Sequence, residues 1–486
     1  MMNTLQFILS SFQRFLLFKK RKLFIIYILA VLLAFTQGIG FIMLIPLLQV
    51  LNADSAYSQN LINDLLYKTA RFFQIQLTLE SILVVYVIIL SVYFLLQYSR
   101  IVLQSSYQHE HSGFLRKELF RKVIFSDWSV LTKISRSQHI QAFTTEIPRV
   151  THFYFYLLNA STKIIILTIH ILLAFLVSPS LTAVVVITGT LMFGFLAAYF
   201  RKSYGLGMQG RKTFRKVMKN IDDFWVTIKP AKVHKTEQFY YDNYARTDQQ
   251  FVSNQVQQIR NNQKPVFLFN LFGLLNLVIV IFIASRFFHI HFTVLIVIVL
   301  LFSRILPLFM SFYQDVNLMF LNAESVKNLQ RMNFQPHIHP VVSQTPDKLF
   351  QLKESIKVSG LSFRYPSGKQ IFSDFNVQIK ALSLTGITGE SGSGKTTLID
   401  LISGLLQPDK GRILFDDQEL IGFAESSIRQ GISYLPQESL FIDGTLRENL
   451  IWDAPHQQMN DIEIMAILER VNAAEFLRQK NLTLDS

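Results

Sequence analysis

Two textures divide the chain. Over its first two thirds, apolar residues run together in stretches separated by tight turns or long basic loops. A helix needs about 20 apolar residues to cross a ~30 Å hydrocarbon core. The pattern predicts six such spans, near 23–50, 77–99, 155–177, 181–200, 266–285 and 291–311. Ahead of them Leu5, Ile8, Leu9, Phe12, Phe15 and Leu16 recur at helical spacing, which predicts an amphipathic helix along the membrane surface. Spans three and four are joined only by Ser178-Pro179-Ser180, a tight turn. Residues 333–352 mix Pro336, Pro340 and Pro346 with polar residues and read as a linker. From Ile356 the period shortens to two: Ile356–Val358, Leu361–Tyr365 and Phe375–Ile379 read as strands, Leu382–Thr388 as an apolar, β-prone run, and Thr397–Ile402 as a helix.

Composition supports lipid as the solvent for the first part. The 486 residues are 50% hydrophobic and only 16% charged, against about 25% charged for soluble domains; mean hydropathy is +0.31. The net charge of +14 would suit nucleic acid, but the basic residues concentrate in loops and span flanks, so nucleic-acid binding is not expected. The cluster Lys19-Lys20-Arg21-Lys22, the loop with Arg116, Lys117, Arg121, Lys122, Lys133 and Arg136, and the loop from Arg201 to Lys264 all fall on one side. Facing them are little more than Lys68, Arg71 and Arg286. The asymmetry predicts a cytoplasmic-membrane protein with both termini in the cytosol. The basic cluster follows an apolar stretch, the reverse of a signal peptide. Both basic loops are long and helically periodic, so the spans are expected to continue into the cytosol, with short connecting helices at the tips near Asp127–Lys133 and Asp222–Lys229. With no cysteine there is neither a disulfide framework nor a thiolate site.

Candidate chemistry sits at Gly389-Glu390-Ser391-Gly392-Ser393-Gly394-Lys395-Thr396, followed by Thr397. The spacing G-x-x-x-x-G-K-[ST] builds a phosphate-binding loop: glycines let backbone N–H groups converge on phosphate oxygens, the lysine adds a point charge, and the hydroxyl suits Mg²⁺. A following helix adds its N-terminal dipole. ATP with Mg²⁺ is the expected ligand.

Spans, linker, strands and loop in this order resemble an ATP-binding cassette half-transporter of the exporter type. Tyr365, in Phe363-Arg364-Tyr365-Pro366, is similar to the family's adenine-stacking aromatic. Leu435-Pro436-Gln437-Glu438 looks like its Q-loop, and Phe441–Leu450 resembles a stretch typical of exporter cassettes. The resemblance implies a six-helix membrane domain over 1–332 with long cytoplasmic extensions, the linker 333–352, and a partial α/β nucleotide-binding domain over 353–486. It also implies ATP binding by Tyr365 and Gly389–Thr397, Mg²⁺ at Thr396 and Gln437, a catalytic role for Gln437, and a second half-transporter as partner. The family places its Leu-Ser-Gly-Gly-Gln signature, Walker B Asp and Glu, and switch His beyond the Q-loop, and none precedes Ser486. The expectation is a truncated cassette that holds phosphates without turning them over. Asp416-Asp417, which mimics a Walker B end, falls where the family has a β-turn. The rival is a nucleotide-responsive membrane sensor or pseudo-transporter that binds without hydrolysing.

Intramembrane polar groups are the remaining candidates. Asn159, Lys163 and His170 share a helical stripe; Arg304 lies inside the sixth span before Pro307, a kink; Glu80 sits at a span edge, and no acidic residue lies comparably deep. A cavity lined by Lys163, Arg304 and a protonated His170 would favour an anionic amphiphile such as a phosphorylated lipid carrier; the alternative is snorkelling of Lys163 and Arg304 to the cytoplasmic interface. His109/His111, His289/His291 and His337/His339 are i, i+2 pairs that diverge on a helix, so no metal site is expected. Trp128 suits an anchor into the cassette or a lipid-surface residue.

Overall fold

The computed structural model describes residues 15–43, 78–132, 134–177, 179–286, 292–331, 350–365, 368, 370–420, 428, 431–437, 441–451 and 459–486. They fall into two units, 1–338 and 339–486. The predicted surface helix at 5–16 lies outside the described residues except for its end, where Phe15 is buried and stacks on Tyr154 with ring centroids 4.8 Å apart.

In the first unit the apolar runs become long helices: α1 (Lys20–Ile42), α2 (Leu79–Ile124), α3 (Trp128–Leu131), α4 (Arg136–Gln141), α5 (Ile147–Val177), α6 (Pro179–Leu196), α7 (Ala198–Val233), α8 (Glu237–Arg286) and α9 (Phe292–Arg331). A π-turn at Ala142–Glu146 joins α4 to α5. Among the described residues, four stretches are long and apolar enough to cross a membrane: Lys20–Gly40, Leu79–Ile124, Arg136–Leu176 and Thr182–Val233. At 46, 50 and 40 residues, α2, α8 and α9 exceed the length that a bilayer requires, as the periodicity of the basic loops predicts. The outer faces are apolar: Val84, Val87, Phe94 and Leu95 on α2 and Leu191 and Phe195 on α6 are exposed. Such a surface is stable against lipid and costly against water.

Inside, Leu167 and Ala174 of α5, Val185 and Met192 of α6, Phe200 of α7, Phe269 of α8 and Ile305, Phe309 and Tyr313 of α9 pack into one core. Helices α7 and α9 approach closely at Gly207, where a Cβ would lie 2.1 Å from the Leu321 carbonyl oxygen. Buried polar groups cross-link the same helices. Ser203 donates to Asn317 at 2.6 Å, Asn261 donates to Ser203 at 2.7 Å, and Tyr204 donates to Glu324. Arg211 lies 3.5 Å from Glu324 and 3.9 Å from Glu146.

One expected tip helix is present and the other is not. Trp128–Leu131 forms a short helix, with Trp128 partly exposed. Residues 222–229 instead remain inside α7, and the chain turns only at His234–Thr236. The antiparallel partner α8 holds α7 helical this far out: Phe224 packs on Tyr240 at 5.5 Å, Thr227 donates to the Tyr240 hydroxyl at 2.8 Å, and Asn220 reaches Thr247 at 2.9 Å.

The second unit opens with an antiparallel sheet of order β2-β1-β3-β4, from β1 (Ser355–Arg364), β2 (Gln370–Lys380), β3 (Lys410–Phe415) and β4 (Gln418–Glu419). Val358 pairs with Val377 on one side and Ile413 on the other. The two short strands predicted at 356–358 and 361–365 are one strand with an irregularity between Val358 and Leu361. Helix α10 (Lys395–Ile402) places Leu398 and Leu401 on Val358, Leu361, Phe363, Ile413 and Phe415. Helices α11 (Leu446–Leu450), α12 (Asp461–Arg470) and α13 (Ala474–Gln479) follow, the last two around Ile464, Leu468, Leu477 and Leu484. The Thr445-x-x-Glu448 spacing forms a capping box at the start of α11.

The β-prone run 382–388 is not a strand. No described strand pairs with it, so its backbone has no ladder, and Leu382 and Leu384 are fully exposed. β propensity alone does not hold a strand that lacks a neighbour. Asp416-Asp417 forms the turn between β3 and β4, not a Walker B end.

Candidate functional site: the phosphate loop

The phosphate loop depends on backbone that a side chain would spoil. Gly392 and Gly394 have φ of +80° and +98°, and Gly394 caps α10 in the left-handed region. A Cβ at Gly394 would lie 2.6 Å from Ile371 Cγ2 and 3.1 Å from Phe372 Cζ, both on β2. The sheet therefore fixes how closely the loop approaches it, and only glycine fits. The Lys395 Nζ donates to the carbonyls of Gly389 and Glu390, both at 2.8 Å. This holds the ammonium across the loop, where it faces any anion cradled there. Ser391 and Ser393 are exposed on the same turn.

Tyr365 reaches the loop from the end of β1, 32 residues upstream. Its hydroxyl lies 3.1 Å from the Thr397 Oγ1 on the first turn of α10, and Phe363 meets its ring edge-on at 5.0 Å. An aromatic face thus stands beside the phosphate loop, as a purine-triphosphate site requires. Thr396 is exposed at the start of α10 and Thr397 is buried, so only the first hydroxyl is open to a cation. Gln437 is exposed, and among the described residues no hydrogen bond ties its side chain to the loop. The loop, its lysine, Thr396 and Tyr365 fit a nucleoside triphosphate with Mg²⁺.

The membrane candidates are rearranged. Lys163 lines a cavity of about 290 Å³, but its ammonium is 2.5 Å from Asp315 and 2.5 Å from the Ser311 hydroxyl. Asp315 lies just beyond the sixth predicted span, and because α9 continues to Arg331 it is carried to the depth of Lys163 on the face of Ser311. The expected lack of a deep acid is therefore corrected, and Lys163 is not a free cation. His170 is fully buried and is not part of the cavity lining; its Nδ1 lies 2.8 Å from the Ile166 carbonyl, which can only accept, so Nδ1 carries the proton. The Arg304 side chain lies outside the described residues, and Asn159 accepts from Gln104. Among the described residues no group of His, Asp and Glu is arranged to hold a metal.

Sequence comparison relates part of the chain to known proteins. Residues 372–484 match the ABC transporter family model. The chain is 25% identical over 328 residues to the Mycoplasma genitalium ABC transporter ATP-binding protein MG015, covering 64% of this chain and 54% of that protein. It is 33% identical over 123 residues to the Bacillus subtilis ABC transporter ATP-binding protein YfiB, covering 25% and 22%. It is 33% identical over 128 residues to Arabidopsis thaliana ABC transporter B family member 22, covering 26% and 10%. The match to the ABC transporter family model thus lies in the second unit, after a mostly helical region with membrane-length apolar helices, and the relatives are named as ABC transporters. It spans about half or less of the length of the relatives it matches.

Proposed function

We propose that the chain is one half of an ATP-driven exporter or lipid flippase that works as a dimer in the cytoplasmic membrane. Residues 1–332 form a membrane domain of six spans with both ends cytosolic, 333–352 a linker, and 353–486 part of the nucleotide-binding domain. The observation that carries this reading is the loop Gly389–Thr396, closed by Lys395 at the start of α10 and flanked by Tyr365.

In this reading the N–H groups of the loop and the N-terminus of α10 bind the β- and γ-phosphates, and Lys395 turns from its two carbonyls onto their oxygens. The Tyr365 ring holds the base, with its orientation set by Thr397. Thr396 would hold Mg²⁺, which when bound neutralises charge on the phosphates. Gln437 would contribute to Mg²⁺ and the attacking water. Binding energy that favours a closed pair of cassettes would then shift the helical domain between inward- and outward-facing states.

The test is photolabelling of the protein in inside-out membrane vesicles with an azido-ATP. Labelling should be displaced by ATP, should fall at least about tenfold in Lys395→Ala, since a charge-assisted contact contributes about 1.5–3 kcal/mol, and should vanish in sealed right-side-out vesicles. Equal labelling of Lys395→Ala, or labelling from outside, overturns the reading.

A further inference from the structure

The cavity beside Lys163 contains a cation that the sequence pattern does not single out. It lies between α1, α2, α5 and α9, with Gln37, Gln97, Arg100 and Lys163 among its polar lining and Ile166 and Leu308 among its apolar lining. The two cations differ in what holds them. Lys163 is matched by Asp315 at 2.5 Å. Arg100 has no ion-pair or hydrogen-bond partner among the described residues, and its Nε is fully buried. Gln97 and Arg100 are one helical turn apart on α2 and face the same space.

A guanidinium with one buried, unsatisfied N–H among apolar helices is costly unless an anion completes it. The planar fork of arginine matches the two oxygens of a phosphate or carboxylate. Gln37 and Gln97 add neutral amide donors, and Ile166 and Leu308 offer a dry wall to hydrocarbon. About 290 Å³ is near the lower end of ligand pockets, enough for a head group while its chains remain in lipid.

We propose that this cavity binds the anionic head group of an amphiphile, with Arg100 as the anchoring cation and the Lys163–Asp315 pair as a neutral wall. The inference deepens the transporter reading and rests on it for the idea that the bound amphiphile is moved; binding itself needs no nucleotide.

The experiment measures binding of acyl-labelled phosphatidic acid, and of the matching diacylglycerol, to the purified full chain in detergent micelles. Arg100→Gln should weaken phosphatidic acid at least tenfold and leave diacylglycerol within twofold, while Arg100→Lys, which keeps the charge without the fork, should fall between. The exposed-cation control Lys202→Gln should bind like the parent. Inorganic phosphate should compete far more weakly than phosphatidic acid. Unchanged phosphatidic acid binding in Arg100→Gln overturns the proposal and leaves Arg100 as a snorkelling residue. Equal loss of both probes overturns it in favour of a packing role, and full competition by inorganic phosphate overturns its amphiphile half. Lys395→Ala separates the two readings: it should bind phosphatidic acid normally, so a failed ATP site and a failed head-group site give different results.

Discussion

The carboxylate of Asp315 lies 2.5 Å from the ammonium of Lys163, joining α9 to α5 across 152 residues of sequence. Both side chains are largely buried, so each charge depends on the other. Removing one partner leaves the other unpaired in a poor solvent for ions, at a cost of about 3–5 kcal/mol, whereas replacing both can be near neutral. Lys163→Met and Asp315→Leu should each lower the thermal unfolding midpoint in detergent, and the double variant should recover most of the loss. Additive loss in the double variant would show that the two residues act independently.

The phosphate loop predicts a separation between fold and binding. Lys395→Ala removes a side chain bonded only to its own loop, so stability should hold while ATP affinity falls. Gly394→Ala forces a Cβ against Ile371 at a φ of +98°, a strain on the order of 1–3 kcal/mol. It should lose both. Fluorescent-ATP titration alongside unfolding distinguishes the two variants; a Gly394→Ala protein with parental stability would contradict the cradle geometry.

Asp416 gives the second unit an acid-sensitive joint. Its carboxylate accepts backbone N–H groups of Lys353, Glu354 and Ser355 at 2.9, 2.7 and 2.9 Å. These bonds, led by that from Lys353, hold its pKa below the usual carboxylate value. A folded pKa lowered in this way adds stability that is complete above the unfolded pKa and is lost as pH falls through the folded one. Asp416→Asn should lower the urea midpoint of the second unit at pH 7 and flatten its decline below about pH 4. A fluorophore on a cysteine introduced into the second unit of this cysteine-free chain would follow it. A variant as acid-sensitive as its parent would place the titration elsewhere.

Gly207 sets the spacing of α7 against α9. Because a Cβ there meets backbone and not a movable side chain, Gly207→Val should displace the helices and disturb the Ser203–Asn317 bond four residues away. The expected result is a lowered unfolding midpoint, while Gly205→Ala, with nothing within 4 Å of its Cβ, should be near neutral. Equal effects at both positions would deny the close contact.

Features that depend on nearby residues were legible in the sequence. Apolar runs became helices, and the phosphate-loop spacing became a glycine-dependent turn at the start of a helix. Features that depend on distant partners were not. Leu382–Thr388 has strand composition, yet strand formation requires a neighbour. Residues 222–229 resemble a tip, yet ring packing on α8 keeps them helical. Asp315 stood outside its span by residue count, and only the continuation of α9 brings it to Lys163. Arg100, one residue past the second predicted span, resembled a flanking charge; its i, i+3 relation to Gln97 was the available clue.

Helix α8 carries a mechanical implication. Fifty helical residues, Pro265 among them, at 1.5 Å each make a rod of about 75 Å. By simple trigonometry, a tilt of ~5° at one end of such a rod moves the other end by about 6.5 Å, somewhat more than one helical turn of 5.4 Å. Helix α7 lies against it near Phe224–Tyr240 and braces the lever where sideways deflection is greatest. A small change in angle within the apolar core is thereby amplified into a large displacement at the far end, and the stiffness of the paired helices limits how much of that motion is lost in bending.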